Sequence, residues 1–351
     1  MEQEDSLRLT GFSKAGGCSC KIPPNVLKEI LGGEISTAPQ ELLVGYNTND
    51  DAAVYDLGDG SGLIATTDFF TPVVDDAFNF GRIAAANAIS DVYAMGGTPL
   101  LALAILGWPV EKLPAAMAGE VLRGAREMCL EAGIPLAGGH SINSAEPIFG
   151  LSVNGKVLKQ HLKRNNTARP GDLIYATKPI GTGILSAALK RGLLAEKHLK
   201  DFVEHLSTLN KVGESLAKIA GVSAMTDITG FGLLGHIIEM AEGAGCSAEL
   251  YYSKMPVIAA AKGYLQQRIV PDATYRNWNS YSSKTSFDKG VDVMEAFNLL
   301  PDPQTNGGIM FTCHPNDITE VEQVLRNHNI VYTTPLGKMK APEEKVVTVL
   351  N

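Results

Sequence analysis

The sequence has few cysteines, no cluster of basic residues and no long apolar run, and each absence excludes a class of protein. Five cysteines in 351 residues is an odd number, which argues against a disulfide framework and favours free thiols in a reducing compartment. No Lys/Arg cluster could track a phosphate backbone and the formal net charge is −8, so we expect no nucleic-acid partner. The longest apolar stretch, residues 100–110, is too short to span a bilayer and is interrupted by Gly107 and Pro109. Because the acidic N-terminus also carries no signal peptide, we expect a cytoplasmic protein that does not enter a membrane.

The familiar nucleotide-binding motifs are also missing. There is no GxxxxGK(S/T) sequence, and no GxGxxG follows a strand at dinucleotide-binding spacing. Glycine-rich loops are nevertheless present, at residues 138–139, 181–183, 230–232 and 307–308. Glycines let backbone N–H groups approach phosphate oxygens, although most such loops are only turns. An acidic protein that handles polyphosphate would need divalent cations to offset the charge.

Two thiols stand beside a cation near the N-terminus, in the sequence GGCSCK at residues 16–21. The glycines and the following prolines predict a mobile, exposed arm, and Lys21 favours the reactive thiolate form of Cys18 or Cys20. The alternatives are a redox-inert loop and half of a zinc site. A zinc half-site usually spaces its cysteines two to four residues apart and needs a matching second pair. The remaining cysteines, Cys129, Cys246 and Cys313, stand alone in the sequence.

Strand and helix patterns alternate along the whole chain. Alanine-rich residues 80–95 and the amphipathic residues 114–132 predict helices, whereas residues 100–106 and 148–158 predict strands. A hairpin is expected over residues 52–67. The remaining predicted elements are a short helix near 25–31, strands at 134–137, 173–177 and 346–350, and a helix that opens at 181–193. A polar turn within residues 163–172 predicts a domain boundary, and the two halves together indicate an α+β architecture.

Aspartates at strand ends and turns are the strongest chemical signal. Carboxylate oxygens suit Mg²⁺, which takes one or two carboxylates plus substrate phosphates. Asp91 lies in an apolar helix on the same face as Asn87, where an unpaired carboxylate would be costly to bury. Asp50 and Asp51 also fit a turn cap, and Asp227 also fits a helix N-cap. Together with the thiols and glycine loops, the aspartates indicate phosphoryl transfer by positioning and charge neutralisation.

These residues, taken as several motifs in one order, resemble the selenophosphate synthetase (selenide, water dikinase) family over nearly the whole chain. The motifs that carry the resemblance are GCSCK at 17–21, NDDAAV at 49–54, TTDFF at 66–70, NAISD at 87–91, AGGHS at 137–141, MTD at 225–227 with TGFG at 229–232, and DPQT at 302–305. Related superfamily members, such as aminoimidazole ribotide synthetase and thiamine-phosphate kinase, share the aspartates and glycines but not the thiol arm. Ser19 stands where the family commonly has Gly.

The resemblance implies a fold, a reaction and partners. It implies a two-domain aminoimidazole ribotide synthetase-like fold and a homodimer, with ATP and Mg²⁺ held in a cleft and K⁺ as a further candidate cation. The implied reaction converts ATP, selenide and water to selenophosphate, phosphate and AMP. A selenium-delivery protein is a further candidate partner. The implied organisation is a flexible Gly-rich catalytic arm at 1–45, an ATP/Mg-binding and dimerisation domain at 46–162, and a C-terminal α/β domain at 163–351.

The resemblance also implies roles for individual residues. Cys18 and Lys21 match the catalytic thiol and lysine. Asp51, Asp91 and Asp227 match the metal ligands. The nucleotide-contacting positions match Lys21, Thr48, Asn49, Asp50, Asp68, Asp91, Gly139, His140 and Ser141. On the residues alone, His140 and His236 would usually be structural.

Two other functions remain open at this point. A phosphoryl-transfer enzyme of the same superfamily, acting on an amidine or a thiamine ester, would turn over without selenide and without Cys18. A non-catalytic nucleotide- or selenium-binding regulator would bind ATP without forming AMP.

Overall fold

The computed structural model describes residues 8–30, 39–45 and 49–351, and two mixed β-sheets with packed helices make up most of this part. The described elements up to residue 158 are α1 (Pro24–Ile30), β1 (Leu42–Val44), β2 (Ala53–Asp56), β3 (Ser61–Phe70), α2 (Ala77–Ala94), β4 (Thr98–Trp108), α3 (Ala115–Ala132), β5 (Leu136–Asn143) and β6 (Ile148–Leu158). Those that follow are β7 (Leu173–Ala176), α4 (Thr182–Lys190), α5 (Glu196–Ser207), α6 (Val212–Leu216), β8 (Val222–Asp227), α7 (Gly232–Gly243), β9 (Ser247–Tyr251), α8 (Ala259–Gln266), α9 (Asp272–Tyr281), β10 (Thr285–Phe287), α10 (Val293–Leu299), β11 (Ile309–Cys313), α11 (Ile318–Asn327), β12 (Gly337–Lys340) and β13 (Val347–Leu350). None of the described helices has both the length and the apolar character needed to cross a membrane.

Helix α2 lies between the two sheets. The first sheet has the strand order β1-β2-β3-β6-β4-β5, and α2 packs on it and against α3 while also contacting β8 of the second sheet. Small side chains make this close packing possible. At Gly81, a Cβ atom would come within 1.9 Å of the carbonyl oxygen of Val121 on α3. As a result, residues 83–94 of α2 are all buried, including Asn87 and Asp91.

The opposite face of the first sheet is largely exposed. Phe69 of β3 pairs with Gly150 of β6, which in turn pairs with Ile105 of β4. Ile105 also pairs with His140 of β5, so these residues lie in one row across the sheet. This face carries exposed apolar side chains at Tyr55, Phe69, Leu103 and Ile142. The first sheet therefore has one packed face and one open face, and β5 forms its edge.

The second sheet has the strand order β10-β13-β9-β12-β7-β11-β8, so β8 lies at an edge beside α2. Tyr175 and Phe311 stack in its core, with ring centroids 5.1 Å apart. Residues 159–172 join the sheets. In this segment the buried Lys163 donates from Nζ to the carbonyl oxygens of Ile219 and Val222, which ties the connection to the second sheet.

The α+β fold with two sheet-and-helix domains is confirmed, and several elements match their predicted ranges closely. The helix predicted at 114–132 is α3, the strand predicted at 148–158 is β6, and the predicted hairpin is β2 paired antiparallel with β3. These elements have clear local patterns, either amphipathic periodicity or a turn between two apolar runs.

The expectation of a glycine-rich loop at 138–141 is wrong, because these residues lie inside β5. The strand predicted at 134–137 begins instead at Leu136 and continues to Asn143, paired in parallel with β4. Gly139 approaches β4 so closely that a Cβ atom would lie 2.1 Å from the carbonyl oxygen of Ala104. Strand pairing, which short-range sequence does not show, overrides the turn tendency of the glycines.

Candidate active site

A cluster of carboxylates forms where α2 faces β8. Asp91 comes from α2, Asp227 ends β8, and Asp51 precedes β2. The Thr226 hydroxyl donates to Oδ1 of Asp51 over 2.7 Å, and the Thr66 hydroxyl donates to Asp91. Burial, followed by repulsion from Asp227, raises the pKa values of Asp51 and Asp91 well above their usual range. The three predicted metal ligands therefore come together from separate parts of the chain, with Asp91 and Asp227 buried and Asp51 partly buried.

The same geometry excludes the N-cap role for Asp227. Asp227 pairs with Ile309 of β11, and α7 begins later with Phe231 at its N-cap position, without a side-chain cap. Burial raises the pKa of Asp227 to about 6.

The cluster has oxygens that suit a cation. Oδ2 of Asp51 and Oδ2 of Asp227 are buried without a hydrogen-bond partner. Among the described residues, no group of three or more His, Cys, Asp or Glu side chains is already arranged to hold a metal ion. Mg²⁺ does not require such a complete cage, since it binds through one or two carboxylates plus substrate phosphates. The donor set and the orphaned oxygens therefore fit Mg²⁺.

Lys21 extends into this cluster from the N-terminal segment. Its Nζ lies 3.5 Å from Oδ2 of Asp68 and 3.5 Å from the hydroxyl oxygen of Thr229. Burial opposes its charge, but the surrounding acidic groups, Asp68 first among them, raise its pKa above the usual lysine value. The ammonium of Lys21 is therefore held in its charged form.

Cys18 is buried rather than exposed, so the expectation of an exposed thiolate is wrong for this residue. Only 1% of Cys18 is accessible, and its Sγ donates to Oδ1 of Asn87 over 3.5 Å. Its backbone N–H donates to the Thr305 hydroxyl over 3.0 Å. Burial raises the pKa of the thiol well above its ordinary value, and Lys21 only partly offsets this. Cys20, in contrast, is exposed.

Asn87 connects the thiol to the acidic residues. Besides accepting from Cys18, its Oδ1 accepts from the backbone N–H of Asn306, and its Nδ2 donates to Asp68 over 2.8 Å. Asn306 in turn accepts from Nζ of Lys178, a buried lysine whose pKa is lowered by burial to about 7. Lys178 was missed from the sequence, where it is only a lysine at the end of an apolar strand.

The predicted nucleotide residues near position 50 have different surroundings. Thr48 lies outside the described residues. Oδ1 of Asp50 accepts from the backbone N–H of Asn165 over 2.8 Å, and the Asn49 carbonyl accepts from the Asn165 side chain. Asp50 thus holds the connection between the sheets, whereas its neighbour Asp51 belongs to the carboxylate cluster.

The structure does not bring Gly139, His140 and Ser141 to the cluster. They lie exposed on the edge strand β5, and strands β3, β6 and β4 separate β5 from β2. Within one chain, the predicted nucleotide contacts therefore form two separate groups.

The glycine loop at 181–183 is not free to bind phosphate. Gln304 accepts hydrogen bonds from the N–H groups of Gly181 and Thr182, and Asp302 accepts those of Gly183 and Ile184. These are the orphan donors at the start of α4, which would otherwise be available to an anion. The DPQT motif therefore has a structural role here, and it also presents Thr305 to Cys18.

Comparisons with known proteins agree with this architecture. The family model for the N-terminal domain of AIR synthase related proteins matches residues 49–157, and the model for the C-terminal domain matches residues 169–349. A thiamine-monophosphate kinase structure from Stenotrophomonas maltophilia superimposes with a TM-score of 0.64, at 18% identity over 88% of this chain and 91% of that chain. The hydrogenase maturation protein HypE, solved in complex with ATP, gives 0.63 at 16% identity over 95% of this chain and 87% of that chain. Both domains of an AIR synthase related protein are thus present.

Curated relatives are much more similar in sequence. A selenide, water dikinase from Photorhabdus laumondii is 48% identical over 344 residues, covering 98% of each chain. Another from Shewanella baltica is 47% identical over 347 residues, covering 99% of this chain and 97% of its own. The chain therefore belongs to the selenide, water dikinase family, and the expectation of an enzyme is confirmed.

Proposed function

We propose that this protein is a cytoplasmic selenophosphate synthetase that converts ATP, selenide and water to selenophosphate, phosphate and AMP. The observation that carries the proposal is the position of Cys18 and Lys21 beside the carboxylate cluster of Asp51, Asp91 and Asp227. Full-length similarity to relatives named selenide, water dikinase supports the choice of selenide as phosphoryl acceptor. All five cysteines are free, which fits a reducing compartment.

In this proposal, Asp51, Asp91 and Asp227 hold Mg²⁺. Bound there, Mg²⁺ would neutralise charge on the triphosphate. The Lys21 ammonium donates to phosphate oxygens on the same side, held near them by Asp68. K⁺ is a further candidate cation in this acidic region.

Cys18 handles selenide in the proposed reaction. Its sulfur is soft, and it lies beside Asn87 and near the charges of Lys21 and Asp68. Because the thiol is buried and held in its protonated form, it is protected from oxidation until selenide and nucleotide arrive. Movement of the segment around Cys18 would then admit selenide and close over the phosphates to exclude water. A selenium-delivery protein could supply the selenide.

We also propose that the active form is a homodimer built on the open face of the first sheet. The exposed apolar residues of that face support this, since an apolar patch of this kind is typical of an interface. His140 lies in the same row as Phe69 on that face. A second copy packed there could carry Gly139, His140 and Ser141 to the nucleotide of its partner.

The experiment that tests the reaction is phosphorus NMR of the products formed from ATP and Mg²⁺, with and without selenide. Selenophosphate, AMP and phosphate formed only with selenide support the proposal. Turnover without selenide would indicate a different acceptor, and ATP binding without AMP would indicate a regulator.

The role of the thiol is tested with Cys18→Ser, using Cys20→Ser as a matched control two residues away. We expect Cys18→Ser to abolish selenide-dependent turnover while leaving ATP affinity, measured by titration calorimetry, within about threefold. Cys20→Ser should retain turnover because Cys20 is exposed. Full activity in Cys18→Ser would remove this thiol from the mechanism.

A further inference from the structure

Thr229 lies between the lysine of the site and a buried histidine. Its hydroxyl oxygen is 3.5 Å from Nζ of Lys21 and 3.4 Å from Nε2 of His236. Thr229 follows β8 by two residues and is 5% exposed, and His236 lies on α7 and is 8% exposed. The TGFG motif and the histidine that follows it therefore meet at one point beside Lys21.

The backbone of Thr229 is fixed from three directions. Its N–H donates to Nε2 of His236 over 3.1 Å. Its carbonyl oxygen accepts from the N–H groups of Gly232, at 3.1 Å, and Gln304, at 2.9 Å. With the backbone held in this way, the hydroxyl group has a defined position toward Lys21.

The donor and acceptor roles of Lys21, Thr229 and His236 can be assigned. Since Nε2 of His236 accepts from the Thr229 N–H, the neutral ring carries its proton on Nδ1, which lies 3.6 Å from Oε2 of Glu239. Burial lowers the pKa of His236 to about 3, which keeps the ring neutral. An ammonium can only donate, so the Thr229 oxygen accepts from Lys21. The lone pair of Nε2 accepts from the Thr229 N–H, and the hydroxyl oxygen lies beside Nε2 at 3.4 Å.

The stem of Lys21 is supported by the neighbouring glycine. A Cβ atom on Gly230 would lie 2.8 Å from Cδ of Lys21 and 2.9 Å from the carbonyl oxygen of Cys18. The lysine therefore packs directly on the backbone beside Thr229. A free lysine side chain has many rotamers, and this packing leaves few of them accessible.

We propose that Thr229 and His236 are positioning residues, which fix the Lys21 ammonium beside the carboxylate cluster so that it contacts the triphosphate. This inference rests on the proposed function for the identity of the triphosphate ligand. Asp68 and Thr229 direct two of the three ammonium donors, and a third can reach a phosphate oxygen. His236 acts through Thr229, since its Nε2 accepts from the backbone N–H of that residue.

The test compares Thr229→Val, which removes the hydroxyl and keeps the shape, with Thr229→Ser, which keeps the hydroxyl. Two quantities are measured: kcat/KM for ATP in selenide-dependent turnover, and the rate at which an acetylating reagent modifies Lys21. The second is read by peptide mass spectrometry without nucleotide, relative to the exposed Lys262 in the same sample. In Thr229→Val, we expect kcat/KM for ATP to fall at least tenfold and the reagent to acetylate Lys21 at least threefold faster. In Thr229→Ser, both quantities should stay within threefold of the wild type.

If the wild type is active and Thr229→Val equals Thr229→Ser in either measurement, the proposal is overturned. If the wild type makes no selenophosphate, the proposed function fails, and the acetylation rates alone decide whether Thr229 positions Lys21. Should Thr229→Val not fold, as judged by circular dichroism, His236→Leu and His236→Gln replace the pair. Gln retains an acceptor near Nε2, so the same contrast is expected, and equal results again overturn the proposal.

Discussion

Two regions of the first domain were expected to contact the same nucleotide, but they differ in almost every physical respect. Around Asp91, acidic side chains are buried between α2 and β8, and each is tied to residues far away in the sequence. Around His140, the strand β5 is an exposed sheet edge. One region has buried carboxylate oxygens without hydrogen-bond partners, and the other has exposed side chains on an edge strand.

This difference shows how much of the proposed site one chain completes. The carboxylate cluster forms within one chain, because α2 brings both sheets together. The contacts expected from β5 do not form within one chain, because the strand order places β5 at the far side of the sheet.

The largest effect is expected from Asp227→Asn in the buried region. We expect ATP turnover to fall at least about 10³-fold, equivalent to about 4 kcal/mol, because a candidate metal ligand loses its charge. Stability without Mg²⁺ should rise by about 2 kcal/mol, since burial and neighbouring carboxylates disfavour the charge. Phosphate release and thermal unfolding with a chelator measure the two. Retained turnover, or a lower unfolding temperature, would contradict the buried-cluster interpretation.

The next largest effect on turnover is expected from Gly230→Ala. Its Cβ would displace the Lys21 stem and the Cys18 backbone, and small misplacements of reacting groups cost about 10²-fold in rate. Steady-state kinetics with a folding check measures this. Gly119→Ala is the matched control, because the Gly119 Cβ position on α3 is open. The control should keep its activity and gain about 0.5–1 kcal/mol of stability. Equal activity in both variants would argue against a packed lysine stem.

A hybrid dimer tests the exposed region. We expect His140→Ala to reduce turnover about tenfold, or about 1.4 kcal/mol. When Asp227→Asn and His140→Ala chains are co-expressed with different tags and purified as hybrids, one complete site should form. Its activity should then approach half that of the wild type. If each site lies within one chain, the hybrid should show only the average of its parents' activities, roughly one twentieth of the wild type.

The smallest effect on turnover is expected from Asp302→Asn at the start of α4, where the change acts on stability instead. Burial raises the pKa of Asp302 to about 8. The protonated Asp302 carboxyl therefore contributes fully to the free energy of unfolding below the ordinary Asp pKa of about 3.9. This contribution is lost as the pH rises through 8. Between pH 5 and 8, the free energy of unfolding of the wild type should fall by about 1 kcal/mol per pH unit relative to that of Asp302→Asn, as measured by denaturant unfolding. Parallel pH profiles would show that this carboxyl is not held protonated.

Local patterns predicted the fold well where one segment determines its own structure. The amphipathic stripe of α3 and the apolar alternation of β6 need no distant partner to be recognised, and both lie where they were expected. Predictions failed where a distant segment decides. Cys18 is buried because Thr305, 287 residues away, binds its backbone. Likewise, the glycine loop before α4 is filled by Asp302 and Gln304, about 120 residues further on.

The sequence by itself determined which chemical groups are present: a thiol and a lysine near the N-terminus, aspartates at strand ends, and the family that combines them. Only the tertiary structure decided their state. It buried Cys18 as a thiol, brought Asp51, Asp91 and Asp227 together, and left β5 exposed. The physical reason is that burial and like-charge proximity depend on which surfaces meet in space, and a pKa follows those surroundings rather than the identity of the residue.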